Sequence, residues 1–131
     1  MKLLLLPLLL LIGGTLQSGP QPPRFPESQI ARGAEVFVSQ CASCHGAGGD
    51  EMVDHGPSLS DERFWEVWSG RSMRSLYSRI ISTMPASEPG ILEPQDVLDV
   101  TVYLSGVEAA GDVPVTDPDA LNDVPLRAPA S

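Results

Sequence analysis

Both cysteines of this chain, and one of its two histidines, fall in the stretch SQCASCHGAGG, residues 39 to 49. Cys41 and Cys44 stand three apart, and His45 follows directly. Four chemistries could use such a grouping. A disulfide across so small a ring would staple little chain. A redox dithiol of the thioredoxin kind belongs beside a βαβ pattern, which the sequence lacks. A zinc ion needs four ligands, and two cysteines and two histidines are all the chain offers. Cys44 and His45 are also adjacent, which makes it awkward to aim both at one metal. The fourth reading is C-x-x-C-H as the attachment site for a c-type haem. On one helical turn the two thiols reach two vinyl groups as thioethers, and the histidine projects towards the iron.

A haem iron has a second axial position, and its occupant decides the function. The candidates are Met52, His55, Met73 and Met84. Met52 and His55 follow the motif closely, where the chain must still pass the porphyrin edge. Met73 lies near the start of a helix. Met84 closes a complete helix and precedes Pro85 in STMPAS. Proline holds the residue before it extended and ends the helix, so the thioether stands on a constrained loop. Met84 is the expected sixth ligand and His55 the runner-up.

The elements that would position these groups are helical. In SQIARGAEVFVSQCASCH, Gly33, Phe37 and Cys41 recur every four residues and share a face. SDERFWEVWSG offers Ser60 as an N-cap and Gly70 as a stop. SMRSLYSRIIS pairs Leu76 with Ile80 and Tyr77 with Ile81. EPQDVLDVTVYLSG opens with Pro94 at a first helical position and ends at Gly106, with Val97, Val100, Tyr103 and Leu104 as its apolar set. Glu93 stands where a better side-chain cap is expected. The alternation that strands require is scarce, so the expected class is all-α.

Length and composition limit the rest. A chain of 131 residues with 12 glycines, 13 prolines and 5% aromatics suggests one domain with a modest core, helped by a bound group. The apolar run from Leu3 to Ile12 after Lys2 suits a secretory signal over residues 1–18 and is short for a membrane span. Residues 19–27, GPQPPRFPE, read as an extended leader, 28–106 as the folded domain and 107–131 as an irregular tail. The mature protein is expected outside the cytoplasm, in a periplasm or its equivalent, and not membrane-spanning, with an uncleaved membrane anchor as the alternative reading of the apolar run. A formal charge of −9 argues against nucleic acid and favours a basic face on any protein partner.

With CASCH, GPSL at 56–59, TMP at 83–85 and a last helix ending VYL, residues 28–106 resemble the class I cytochromes c. The stretch from Trp68 to Gly106 is further similar to the small cytochrome c domains associated with periplasmic dehydrogenases, such as quinoprotein alcohol dehydrogenases. Even the tail is similar to the segment that often follows them. The resemblance implies several short helices around one covalent haem c, with the first and last helices crossing at Gly33 and Phe37. It implies that the Pro57 carbonyl holds the second ring nitrogen of His45 and that Leu59 packs on the porphyrin. Trp68 and Arg71 are the expected partners of the haem propionates, which need hydrogen bonds if buried. The function implied is outer-sphere transfer of single electrons from a dehydrogenase or quinol-linked donor to an oxidase or another cytochrome, with no catalytic side chain. Two alternatives stay open: a haem subunit fixed in a dehydrogenase complex, or a haem with labile Met84 that binds a gas or peroxide.

Overall fold

The computed structural model describes residues 23–47 and 56–129. Among these residues five α-helices follow one another: α1 (Glu27–Gln40), α2 (Ala42–His45), α3 (Glu62–Trp68), α4 (Met73–Thr83) and α5 (Pro94–Leu104), with a 3₁₀ turn at Pro118–Leu121. Among the described residues there is no strand, only an isolated bridge between Ser72 and Pro125. The fold is all-α. None of these helices is long and apolar enough to cross a membrane.

The first and last helices form the centre. Gln29, Gly33 and Phe37 are the buried residues of α1, one face at a spacing of four. A β-carbon on Gly33 would collide with the Asp99 carbonyl oxygen and come within 2.7 Å of Tyr103 Cβ. Only glycine lets α1 lie this close to α5. One turn on, the rings of Phe37 and Tyr103 meet with centroids 5.6 Å apart. α5 is buried at every position from Val97 to Val102, as suits a helix packed on several sides. Pro94 occupies its first turn, Glu93 caps it without a side-chain hydrogen bond, and Gly106 ends it at φ +64°.

The buried face of α5 contains a carboxylate. Asp99, 2% exposed, accepts hydrogen bonds from Gln29 Nε2 (2.8 Å), Gln95 Nε2 (2.8 Å) and Arg32 Nε (3.0 Å). Three donors answer the desolvation of one acid. Gln29 also donates to the Val115 carbonyl and accepts from the Val115 N–H, so the same cluster fastens residues beyond α5.

Three local details differ from the sequence reading. The cap of α3 is Asp61 instead of Ser60: its carboxylate accepts from Phe64 N–H at 2.9 Å, while Ser58 Oγ accepts from the N–H groups of Ser60 and Asp61. Of residues 19–27, read as a leader with no core, the described part buries Phe25, whose carbonyl accepts from Ala110 N–H at 2.8 Å. Residues 107–129, read as tail, are mostly irregular yet bury Leu121 and Leu126 completely or nearly so. Their backbone is also held: Val124 O accepts from Met73 N–H, Leu126 N–H donates to Arg71 O, and Leu126 O accepts from Gly70 N–H. Irregular backbone is compatible with burial when its polar groups are satisfied in this way. The signal reading of residues 1–18 lies outside the described residues.

Candidate functional site

α1 stops at Gln40 because the backbone turns at Cys41, whose N–H still bonds back to Phe37. A single helical turn, α2, follows: the N–H groups of Cys44 and His45 both bond to the Cys41 carbonyl at 3.1 and 3.0 Å. The motif is thus one compact turn that ends at Gly46, φ +84°. Cys41 is half-buried, Cys44 is exposed, and the two are not joined in a disulfide. Burial, with a smaller contribution from Cys44, pushes the Cys41 thiol up to about 11. That burial penalises a thiolate, whereas a thioether has no charge to desolvate.

His45 is buried, and its ring is fixed from one side. Nδ1 lies 2.7 Å from the Pro57 carbonyl oxygen. A carbonyl only accepts, so Nδ1 carries a proton, and in the neutral ring the lone pair is then on Nε2. Gly56 makes this approach possible. A β-carbon there would sit 2.7 Å from the Cys44 carbonyl and 3.0 Å from the imidazole.

His45 opens on a cavity of about 600 Å³ whose walls also include Pro57, Leu59, Trp68, Arg71 and Met84. Met84 arrives from the end of α4. It is the C-cap, with extended backbone (φ −120°, ψ 150°), and its N–H closes the helix on Ile80. Six of the eight expected site residues therefore line one space, and Cys41 and Cys44 stand on the turn that carries His45. Of the other axial candidates, Met73 is fully buried core and does not line the cavity, and Met52 and His55 lie outside the described residues.

Several wall residues escaped the sequence reading as site residues. Phe64, Leu76, Ile80 and Leu104 make the apolar walls, and Arg63 and Arg79 join Arg71 at the rim. The pairing of Leu76 with Ile80 was legible, but not that their shared face meets a cavity. Arg71 lies over the Trp68 ring, 5.4 Å from its centroid. Trp65, three residues earlier, is the core partner of Phe64, and its Nε1 is the one buried side-chain polar atom without a partner among the described residues.

The donor set suits an iron porphyrin. An imidazole with its second nitrogen occupied and a thioether face one apolar space, in the size range of cofactor pockets, roughly 300–1,000 Å³. Among the described residues no group of three His, Cys, Asp or Glu could hold a bare metal ion.

Known proteins agree with this reading. Residues 28–104 match the family model described as cytochrome c oxidase, cbb3-type, subunit III. A cytochrome c-553-like protein of Synechocystis sp. is 35% identical over 77 residues, 56% of this chain and 64% of that protein. The chain thus spans less than two thirds of that relative. A chain of the sulfane dehydrogenase SoxCD from Paracoccus pantotrophus overlays with a TM-score of 0.55 at 21% identity, covering 86% of this chain and 68% of the other, which shows a common fold. The thiosulfate dehydrogenase TsdBA from Marichromatium purpuratum overlaps more loosely, with a TM-score of 0.40. With the motif, the helical fold and a family match over more than half its length, the chain belongs to the cytochrome c family, whose cofactor is covalently bound haem c.

Proposed function

We propose that the protein is an exported monohaem cytochrome c that carries single electrons between a dehydrogenase or quinol-linked donor and a terminal acceptor. In this reading Cys41 and Cys44 would hold the haem through two thioethers, and His45 and Met84 would hold its iron. One observation carries it: His45, with Nδ1 held by Pro57, and Met84, from the far end of α4, line the same apolar cavity. The bound haem supplies a one-electron change at iron, with a potential raised by a Met/His pair.

The chain's own residues do the rest. The Pro57 carbonyl fixes the imidazole's orientation and makes it a better donor. Leu59, Phe64, Leu76 and Ile80 keep the space apolar. Trp68 and Arg71, both on the cavity wall, would hydrogen-bond the propionate carboxylates. With His45 and Met84 both holding the iron, no position would be left for a substrate, and transfer would be outer-sphere.

Optical spectra of the exported, haem-loaded protein test this reading, beside a Met84→Ala variant. The expected result is a Soret band in both and loss of the Met-to-iron absorption in the variant only. Retention of that absorption would move the axial role to another residue. Ready carbon monoxide binding by the wild-type ferrous protein would instead favour a gas-binding haem.

A further inference from the structure

The family match ends at residue 104, yet the irregular segment beyond it is tied into the domain at two separate places. At Val115 the tie is to the crossing of α1 and α5. The Val115 N–H donates to Gln29 Oε1 at 2.9 Å, and its carbonyl accepts from Gln29 Nε2 at 2.8 Å and Gln95 Nε2 at 3.3 Å. Asp99 accepts from both of these amides as well, so the anchor belongs to the helical frame.

Further on, the same segment meets the start of α4. The Val124 carbonyl accepts from Met73 N–H at 2.7 Å, one of the N–H groups that a helix start leaves without an internal partner. Leu126 makes a reciprocal pair with the turn before α4. Its N–H donates to the Arg71 carbonyl at 2.8 Å, and its carbonyl accepts from Gly70 N–H at 2.9 Å. Leu121 and Met73 are fully buried and Leu126 nearly so. Arg74, in the first turn of α4, adds an ion pair to Asp119 at 3.4 Å.

The helix held in this way is the one whose C-cap is Met84. Eleven residues make a rod about 16 Å long, so whatever fixes Met73 also governs where Met84 stands. A functional side chain has to be held to within about 0.5 Å of its working position. We propose that residues 115–126 are a strap that positions α4 and so secures Met84 in the cavity, with Leu126 as the positioning residue at its far end. This rests on the axial role proposed for Met84 and adds a determinant that lies outside the matched domain. A loosened strap raises the population in which Met84 has left the iron. An added ligand reports that population, because its apparent affinity scales with the fraction of molecules able to bind it.

The test is titration of the ferric, haem-loaded protein with imidazole in the absence of denaturant, followed by loss of the Met-to-iron absorption. Leu126→Ala is compared with Leu126→Met, which restores the volume, and with Gly33→Val, which strains the crossing of α1 and α5 away from the strap. Guanidinium midpoints are recorded for each. Leu126→Ala should bind imidazole about tenfold more tightly than wild type, while Leu126→Met and Gly33→Val stay within about twofold. If Leu126→Ala does not load haem, Leu126→Val decides, with about threefold tightening expected. An unchanged imidazole affinity beside a lowered midpoint would overturn the strap, since the segment would then serve stability alone. Equal tightening in Gly33→Val would also overturn it, because Met84 would be following global stability. Either result leaves the axial role of Met84 intact. A wild-type protein with a Soret band and no Met-to-iron absorption would overturn that role and the strap together.

Discussion

A histidine that is to donate to a metal through one nitrogen needs the other occupied, and here the occupant is a backbone carbonyl, 2.7 Å away. That contact depends on a residue with no side chain. Gly56→Ala would place a methyl against the Cys44 carbonyl and the imidazole, closer than such atoms ordinarily approach. The expected outcome is a displaced Pro57 carbonyl, a changed reduction potential, and a loss of about 1–3 kcal/mol on guanidinium unfolding. An unaltered potential and an unaltered midpoint would mean that residues 56–57 yield freely. At this scale the sequence was most readable where spacing itself encodes chemistry, as at Cys41, Cys44 and His45. Pro57, Leu59, Trp68, Arg71 and Met84 were reached through the resemblance and through proline's effect on its neighbour, and all five line the cavity. Arg63 and Arg79 were not legible. An arginine on a solvated helix face looks the same in sequence whichever way the helix is turned.

Among the elements, the crossing of α1 and α5 fixes the frame, and Gly33 is its closest point. Gly33→Val would force the two helices apart, because the obstruction is the backbone of α5 as well as Tyr103 Cβ. Overpacking of this kind typically costs about 1–3 kcal/mol, and more where backbone must move. We expect a lower guanidinium midpoint with the haem spectrum of the folded state retained. A midpoint equal to wild type would show that α5 can move aside. Helix positions were legible from periodicity, proline and glycine. The cap of α3 was not, since Ser58, Ser60 and Asp61 all suit such a role and only the geometry selects Asp61.

Over the whole molecule, the segments on either side of the family match stabilise what lies between them. Leu121 is fully buried, and Leu121→Ala should cost about 2–5 kcal/mol by the lost contacts and the cavity left behind. Urea or guanidinium melts check this, and a change under about 0.5 kcal/mol would mean that the segment lies loosely on the surface. The Asp99 cluster makes a second, contrasting case. Arg32 is 44% exposed, so Arg32→Ala should cost less than about 1 kcal/mol. Asp99→Ala removes the acceptor shared by Gln29, Gln95 and Arg32, leaving both amides only the Val115 carbonyl, and should cost more, about 1–3 kcal/mol. Equal losses from the two substitutions would contradict this division. The sequence concealed both features for one reason: scattered apolar residues among prolines and aspartates carry no period, and a buried acid is recognisable only from the donors that fold around it.

The turn Cys41–His45 has a kinetic corollary. Its hydrogen bonds close within five residues, so it can form before anything distant is in place. Met84 stands roughly forty residues further on, and bringing it back carries a closure entropy of about 3 kcal/mol. Covalent attachment can therefore precede completion of the domain. A haem-loaded fragment truncated before α4 should keep the Soret band while lacking the Met-to-iron signature.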